Sequence, residues 1–256
     1  MNRKFGVEIE AYGVSKTTLA RELRLAGIDC VVEGYNHTTK NYWKVVSDCS
    51  LEGNETFELV SPILNGENGL AQIEKVCSVL TRLGAKVNKS CGLHVHIDAR
   101  DMDASKLKNV CKMWMKYESC FDSILPASRR ENVYCKGIRN KFLTLDAAFE
   151  AIDSTNTAGG LTTVMNKSGY STSRYHKLNL ESLGRHGTIE FRQHSGTVDA
   201  EKINNWVMLV GGFVESAISA KTIRKNGDGK FENLISVTPI KQIRKFYIKR
   251  RESLKA

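Results

Sequence analysis

Three short stretches of this 256-residue chain set ionisable side chains two positions apart. "GVEIEAYG" carries Glu8 and Glu10, "CGLHVHID" carries His94 and His96, and "GTIEFRQHS" carries Glu190 and Arg192. In a strand, residues i and i+2 share a face about 6.5–7 Å apart. Each stretch therefore presents two ionisable groups on one side and apolar residues on the other. One such pair alone is the ordinary alternation of a half-exposed antiparallel strand. A merely solvated face, however, would favour Thr, Lys, Ser and Gln over a carboxylate pair, an imidazole pair and a carboxylate with a guanidinium. If the three strands are neighbours, they make a floor of three Glu, two His and one Arg. Clustered carboxylates repel one another unless a cation neutralises them. Oxygen-rich ligation suits Mg2+ or Mn2+, and the histidines leave Mn2+ or Zn2+ open. A fourth segment, "SDCSLEGNETFELVSP", adds Asp48 at a strand end and Glu58 within the next strand; Glu52 and Glu55 fall in the turn between. A zinc site built from Cys91, His94 and His96 is a weaker alternative, because its spacing matches no closed Cys/His site.

The elements that must hold these groups follow from periodicity and caps. Strands are expected at residues 4–12, in "IDCVVEG", "YWKVVSD", "ETFELVSP", "CGLHVHID", "RYHKLNL" and "GTIEFRQHS". "SKTTLARELRLAG" reads as a helix with Ser15 as N-cap and Gly27 just past its end. Leu70, Ile73, Val76, Cys77, Leu80 and Leu83 mark a second helix, and residues 103–122 a third, capped by Asp103. "TLDAAFEAI" is a short helix, and "DAEKINNWVMLVGGFVESAIS" a buried one. A final basic helix begins at Thr238 and Pro239, with Ile240, Ile243 and Tyr247 inward. Residues 153–173 have no periodicity and read as a long loop that could close over a site. His176, His186 and His194 have bland readings, His194 as a hydrogen-bonding neighbour of the site. Trp43, Trp114 and Trp206 are expected in the core. Strands mixed irregularly with helices predict an α+β fold, a mainly antiparallel sheet flanked by helices.

Composition is that of an ordinary globular protein, with 41% hydrophobic and 26% charged residues. The apolar run Trp206–Val214 is far shorter than the ~20 residues a membrane span needs. The N-terminal stretch lacks the apolar core of a signal peptide, so a cytoplasmic protein with no membrane partner is expected. Seven cysteines with no C-x-x-C pair argue for reduced thiols. The net charge is +10, and residues 221–256 hold eleven Lys/Arg against three Asp/Glu. That basic segment leaves a nucleic-acid-binding protein as one alternative. Carboxylates in the strand pairs repel phosphate without a metal, so nucleic acid is not the expected main partner. G-x-x-x-x-G-K-[ST] and G-x-G-x-x-G are both missing, which excludes the commonest phosphate cradles.

"GVEIE", the segment from Asp48 to "ELVSP", "CGLHVHID", "RYHKLNL" and "GTIEFRQHSGTVDAEKINNWV" occur in an order that resembles the amidoligase family. That family belongs to the carboxylate–amine ligase superfamily of glutamine synthetase and γ-glutamylcysteine synthetase. The resemblance implies a catalytic domain, taken as residues 1–220; residues 221–256 lie outside it and are expected as a basic extension packed on the same domain. It implies ATP with Mg2+, or Mn2+, as cofactors, and Glu8, Glu10, Glu58, His94 and Glu190 as metal ligands. His96 resembles the histidine nearer the nucleotide phosphates, and Arg192 the arginine that meets the transferring phosphoryl group. Arg174 and Asp48 match further motif positions. Arg130, in the basic segment "SRRENVYCKGIRNK", is a candidate for phosphate or an anionic substrate. The implied chemistry joins a carboxylate to an amine, peptide or glycan-linked amines included, through an acyl phosphate. A metal-dependent phosphotransferase on the same residues is the enzymatic alternative.

Overall fold

The computed structural model describes residues 3–255. In chain order the elements are β1 (Phe5–Ala11), α1 (Lys16–Leu25), β2 (Cys30–Val32), β3 (Trp43–Val46), β4 (Phe57–Val60), α2 (Gly66–Arg82) and β5 (Gly92–Asp98). There follow α3 (Ala104–Asp122), α4 (Ala127–Arg130), α5 (Leu145–Asp153), α6 (Ala158–Asn166), β6 (Lys167–Ser168), β7 (Ser171–Thr172) and β8 (Leu178–Asn179). The chain ends with α7 (Ser182–His186), β9 (Thr188–Ser195), α8 (Ala200–Ser219), α9 (Phe231–Ile235) and α10 (Lys241–Ser253). This is the expected class, helices flanking mainly antiparallel strands. The chain forms two compact units: residues 1–96 with 194–207, and residues 97–193 with 208–256.

In the first unit the strand order is β2-β3-β4-β1-β5. β1 and β3 each pair antiparallel with β4, while β2 runs parallel to β3. Val7 and Ile9 point to the buried side with Leu19, Trp43, Val45, Leu59, Ile73 and Leu80. The β1–β4 register sets Glu10 directly opposite Glu58. Period 2 therefore puts Glu8, Glu10 and Glu58 on the face away from that core. Ser15 caps α1 by accepting from the Thr18 N–H, and Gly27 follows at φ +79, the left-handed conformation glycine adopts without a Cβ clash.

The second unit is built on aromatic packing: Trp114 and Phe121 of α3, Phe191 of β9 and Phe213 of α8 contact one another at centroid distances of 5.2–6.3 Å. β8 pairs antiparallel with β9. Asp103 caps α3 through the Lys106 N–H, as its sequence position predicts. Three expectations need correction. Residues 153–173 are not a loop but hold α6 and the β6–β7 hairpin. Thr157 caps α6 and Leu161 and Met165 bury its inner side, a short pattern masked by Gly159 and Gly160. Of "RYHKLNL", only Leu178 and Asn179 form a strand; His176 instead makes an isolated parallel bridge to Lys136. In α10, Ile243 and Tyr247 are buried as expected, but Ile240, just before the helix, is exposed. Among the described residues no helix is long and apolar enough to cross a membrane.

Candidate metal-binding site

The first unit brings together Glu8, Glu10, Glu58, His94 and His96. The Glu8 carboxylate lies between the two imidazoles: Oε2 is 2.9 Å from His94 Nδ1, and Oε1 is 3.2 Å from His96 Nε2. The other nitrogen of His94, Nε2, is 3.5 Å from Glu10 Oε1. Glu10 is fixed from its far oxygen, where Oε2 accepts the Gly92 N–H. Glu10, Glu58 and His94 are all buried, and each offers a ligand atom within 4.8 Å of the others.

The electrostatics of this cluster are unbalanced. Burial, then the charges of Glu8 and Glu10, push the Glu58 carboxyl well above the usual carboxylate range. Burial also works to raise the Glu8 carboxyl, but hydrogen bonds with His94 and His96 outweigh it and hold it well below that range. Lys44 on β3 reaches Glu58 and Glu8 only through its field. Its Nζ donates to the backbone oxygens of Asn36 and Thr38 and to Asn36 Oδ1. The upward pressure on Glu58 favours the protonated carboxyl, or a cation beside it.

This donor set fits a divalent cation. Two buried carboxylates and one imidazole converge, and the carboxylate against the other side of the imidazole orients its ring, an arrangement common behind metal-bound histidines. Both glutamates of "VEIE" reach His94, Glu8 at Nδ1 and Glu10 at Nε2. Glu10 stands in the converging set with Glu58, and Glu8, which also offers a ligand atom beside His94, contacts His96 as well. Cys91 lies outside the converging set and its Sγ contacts Asn88 Oδ1, so the Cys91–His94–His96 zinc alternative is dropped. Asp48 closes a turn by accepting from the Ser50 N–H and hydroxyl, and its charge adds to the pressure on Glu58. His194 stays in the first unit, with Nδ1 on the Ser195 carbonyl and its ring 5.0 Å from that of Trp206.

The remaining predicted residues belong to the second unit. Glu190 and Arg192 pair with each other along β9, and Asn179 Nδ2 donates to Glu190 Oε2 at 2.6 Å. The Arg174 and Arg192 guanidinium carbons lie 5.3 and 5.9 Å from the Tyr175 ring centroid. Tyr175 was not singled out in the sequence; its only signal is the "RY" pair. Arg130 donates through Nε to the carbonyls of Asp122 and Leu125. His176, given a bland reading, instead accepts from Lys141.

A family model described as "Putative amidoligase enzyme" matches residues 1–214. No curated protein matches the chain. Among solved structures, a GmaS/ADP complex aligns at 10% identity and TM-score 0.46, covering 99% of this chain and 69% of that one. A novel glutamine synthase homolog aligns at 10% identity and TM-score 0.43, covering 99% of this chain and 66% of that one. The chain thus spans about two thirds of the length of these neighbours, and likenesses this distant carry no argument about its site.

Proposed function

We propose that this chain, which belongs to the amidoligase family, is an ATP-dependent carboxylate–amine ligase that uses Mg2+ or Mn2+. The observation that carries the reading is the buried Glu10–Glu58–His94 cluster, whose surplus of carboxylate calls for a cation. Glu10, Glu58 and His94 would hold the ion, which when bound supplies positive charge for the nucleotide phosphates. Glu8 keeps the His94 and His96 rings in fixed orientation, and the Gly92 N–H fixes Glu10. From the sequence resemblance, the reading also gives Glu8 and Glu190 metal-ligand roles and His96 and Arg130 contacts to phosphate. On the same ground, Arg192 and Arg174 stabilise developing charge and Asp48 contributes to the site. The γ-phosphoryl group of ATP passes to the substrate carboxylate, and an amine then displaces phosphate from the acyl phosphate. ADP, phosphate and an amide are the products.

The test is mass spectrometry of products after incubation with ATP, Mg2+ and pools of amino acids and peptides. The expected result is ADP together with a product whose mass equals acid plus amine less one water, lost in His94→Ala. ATP left intact with every pool would overturn the reading. A phosphorylated product that never yields an amide would replace it with a phosphotransferase.

A further inference from the structure

The second unit contains a cleft of about 440 Å³ whose wall carries Arg130, Lys136, Lys141 and Lys167 but a single carboxylate, Glu131. Among the described residues none of the four cations makes a salt bridge. Arg130 acts on Asp122 electrostatically, but both oxygens of Asp122 accept from Lys177 Nζ at 2.7 Å. Since Arg130 Nε is held by the Asp122 and Leu125 carbonyls, its two terminal nitrogens are left for another partner. The Asn140 amide and Ser168 hydroxyl line the same cleft and have no side-chain partner among the described residues.

The wall is built on buried anchors. Glu118 of α3 accepts from the Ile138 and Arg139 N–H groups and from Trp114 Nε1, which pins the turn next to Lys136 and Asn140. Lys136 is tied by its N–H to the Tyr175 carbonyl and by its carbonyl to the Lys177 N–H. Lys141 Nζ donates to the Met165 and Lys167 carbonyls and to His176 Nε2 at 2.7 Å. His176 Nδ1 meets the Ser173 carbonyl, so Nδ1 carries the ring proton and Nε2 accepts from Lys141. A concave wall of like charge on a fixed backbone repels itself and attracts an ion of opposite sign.

We propose that this cleft binds a compact dianion, the phosphate or paired carboxylates of a small molecule, without a metal ion. A divalent cation needs clustered carboxylates, and one glutamate against four cations offers it nothing. Arg130 supplies a planar fork to two anion oxygens, and Lys136 and Lys167 supply point charges. That the dianion is the acid substrate of ligation rests on the proposed function; that the cleft takes one does not.

The experiment is calorimetric titration of the EDTA-treated full chain with inorganic phosphate and, separately, with succinate, in the absence of nucleotide. Binding by either probe is expected. It should weaken at least about tenfold in Lys136→Ala/Lys167→Ala, two exposed side chains whose loss leaves the melting temperature unchanged. Tighter binding of phosphate identifies a phosphate ester as the ligand, and tighter binding of succinate a dicarboxylate. No binding by either probe at 10 mM (about the weakest affinity worth reading), binding that needs Mg2+, or equal binding by the double variant overturns the proposal. Because no ATP is present, failure here leaves the ligase reading standing, and failure of ligation leaves this one standing.

Discussion

Replacing Glu58 with glutamine is expected to strengthen the metal-free protein and to remove its response to divalent cations. Glu58 and Glu10 offer oxygens within 4.8 Å of one another. At an effective dielectric of ~20, two full charges at that separation repel by about 3.5 kcal/mol. The same repulsion has a counterpart on the proton side. An acid whose folded pKa lies above its unfolded value contributes stability that is present below the unfolded value and lost as pH rises. For Glu58 the loss starts near 4.5 and grows with pH for as long as the proton is kept. Glutamine is neutral at every pH and escapes that loss. Glu8 works in the opposite window: its lowered pKa contributes stability above 4.5 that is lost as pH falls, so it does not mask the effect at pH 7. Thermal melts of EDTA-treated protein at pH 7 should therefore show Glu58→Gln melting higher by several degrees, at about 2–4 °C per kcal/mol. Mg2+ or Mn2+ at a hundred times its Kd adds about 2.7 kcal/mol to the wild type, and the variant should gain less than a quarter of that. Equal melting of the two proteins without cation, or equal gains with it, would refute the reasoning.

Two further outcomes follow from the second unit. Burial pushes the Lys141 ammonium down to about 8, so acylation of this amine by a soluble anhydride should be half-maximal near pH 8; a midpoint above 10 would show an ordinary lysine. Glu118→Ala removes the acceptor of the Trp114, Ile138 and Arg139 donors and a carboxylate 4.0 Å from the buried Lys177 ammonium. Lys177 keeps Asp122, so the cost is that of the stranded donors, about 1–3 kcal/mol for a buried one in urea unfolding, and no measurable loss would contradict the anchoring role.

Periodicity carried much of the fold. The period-2 runs around Glu8, His94 and Glu190 became β1, β5 and β9, and Ser15 and Asp103 cap the helices their positions announce. Short elements were lost where glycines dilute the pattern, as in α6, or where five residues show too little of a turn to register, as in α7 and α9. Which side chains would carry charge was legible; how they divide the work was not. Which ring nitrogen each of Glu8 and Glu10 meets depends on the register between strands some eighty residues apart, which no local pattern encodes. The Lys141–His176 contact was hidden for the same reason. Each residue looks ordinary in its own segment, and only the Lys136–His176 bridge brings the segments together.

The first unit is not one stretch of chain but two, residues 1–96 and 194–207. Its later piece is stitched in by the Gly196 N–H on the Cys91 carbonyl and by Asn204 on the Leu70 carbonyl. On a ribosome, Glu8, Glu10, Glu58, His94 and His96 would all have emerged with about a hundred residues still to be made before that piece arrives. Nascent chains would therefore carry the whole acidic cluster on a half-closed scaffold. A deletion fragment ending after β5 would reproduce that waiting state rather than the finished unit. The minimal piece able to stand alone would have to join residue 96 to residue 194 through a short artificial linker, shortening the loop the native chain must close.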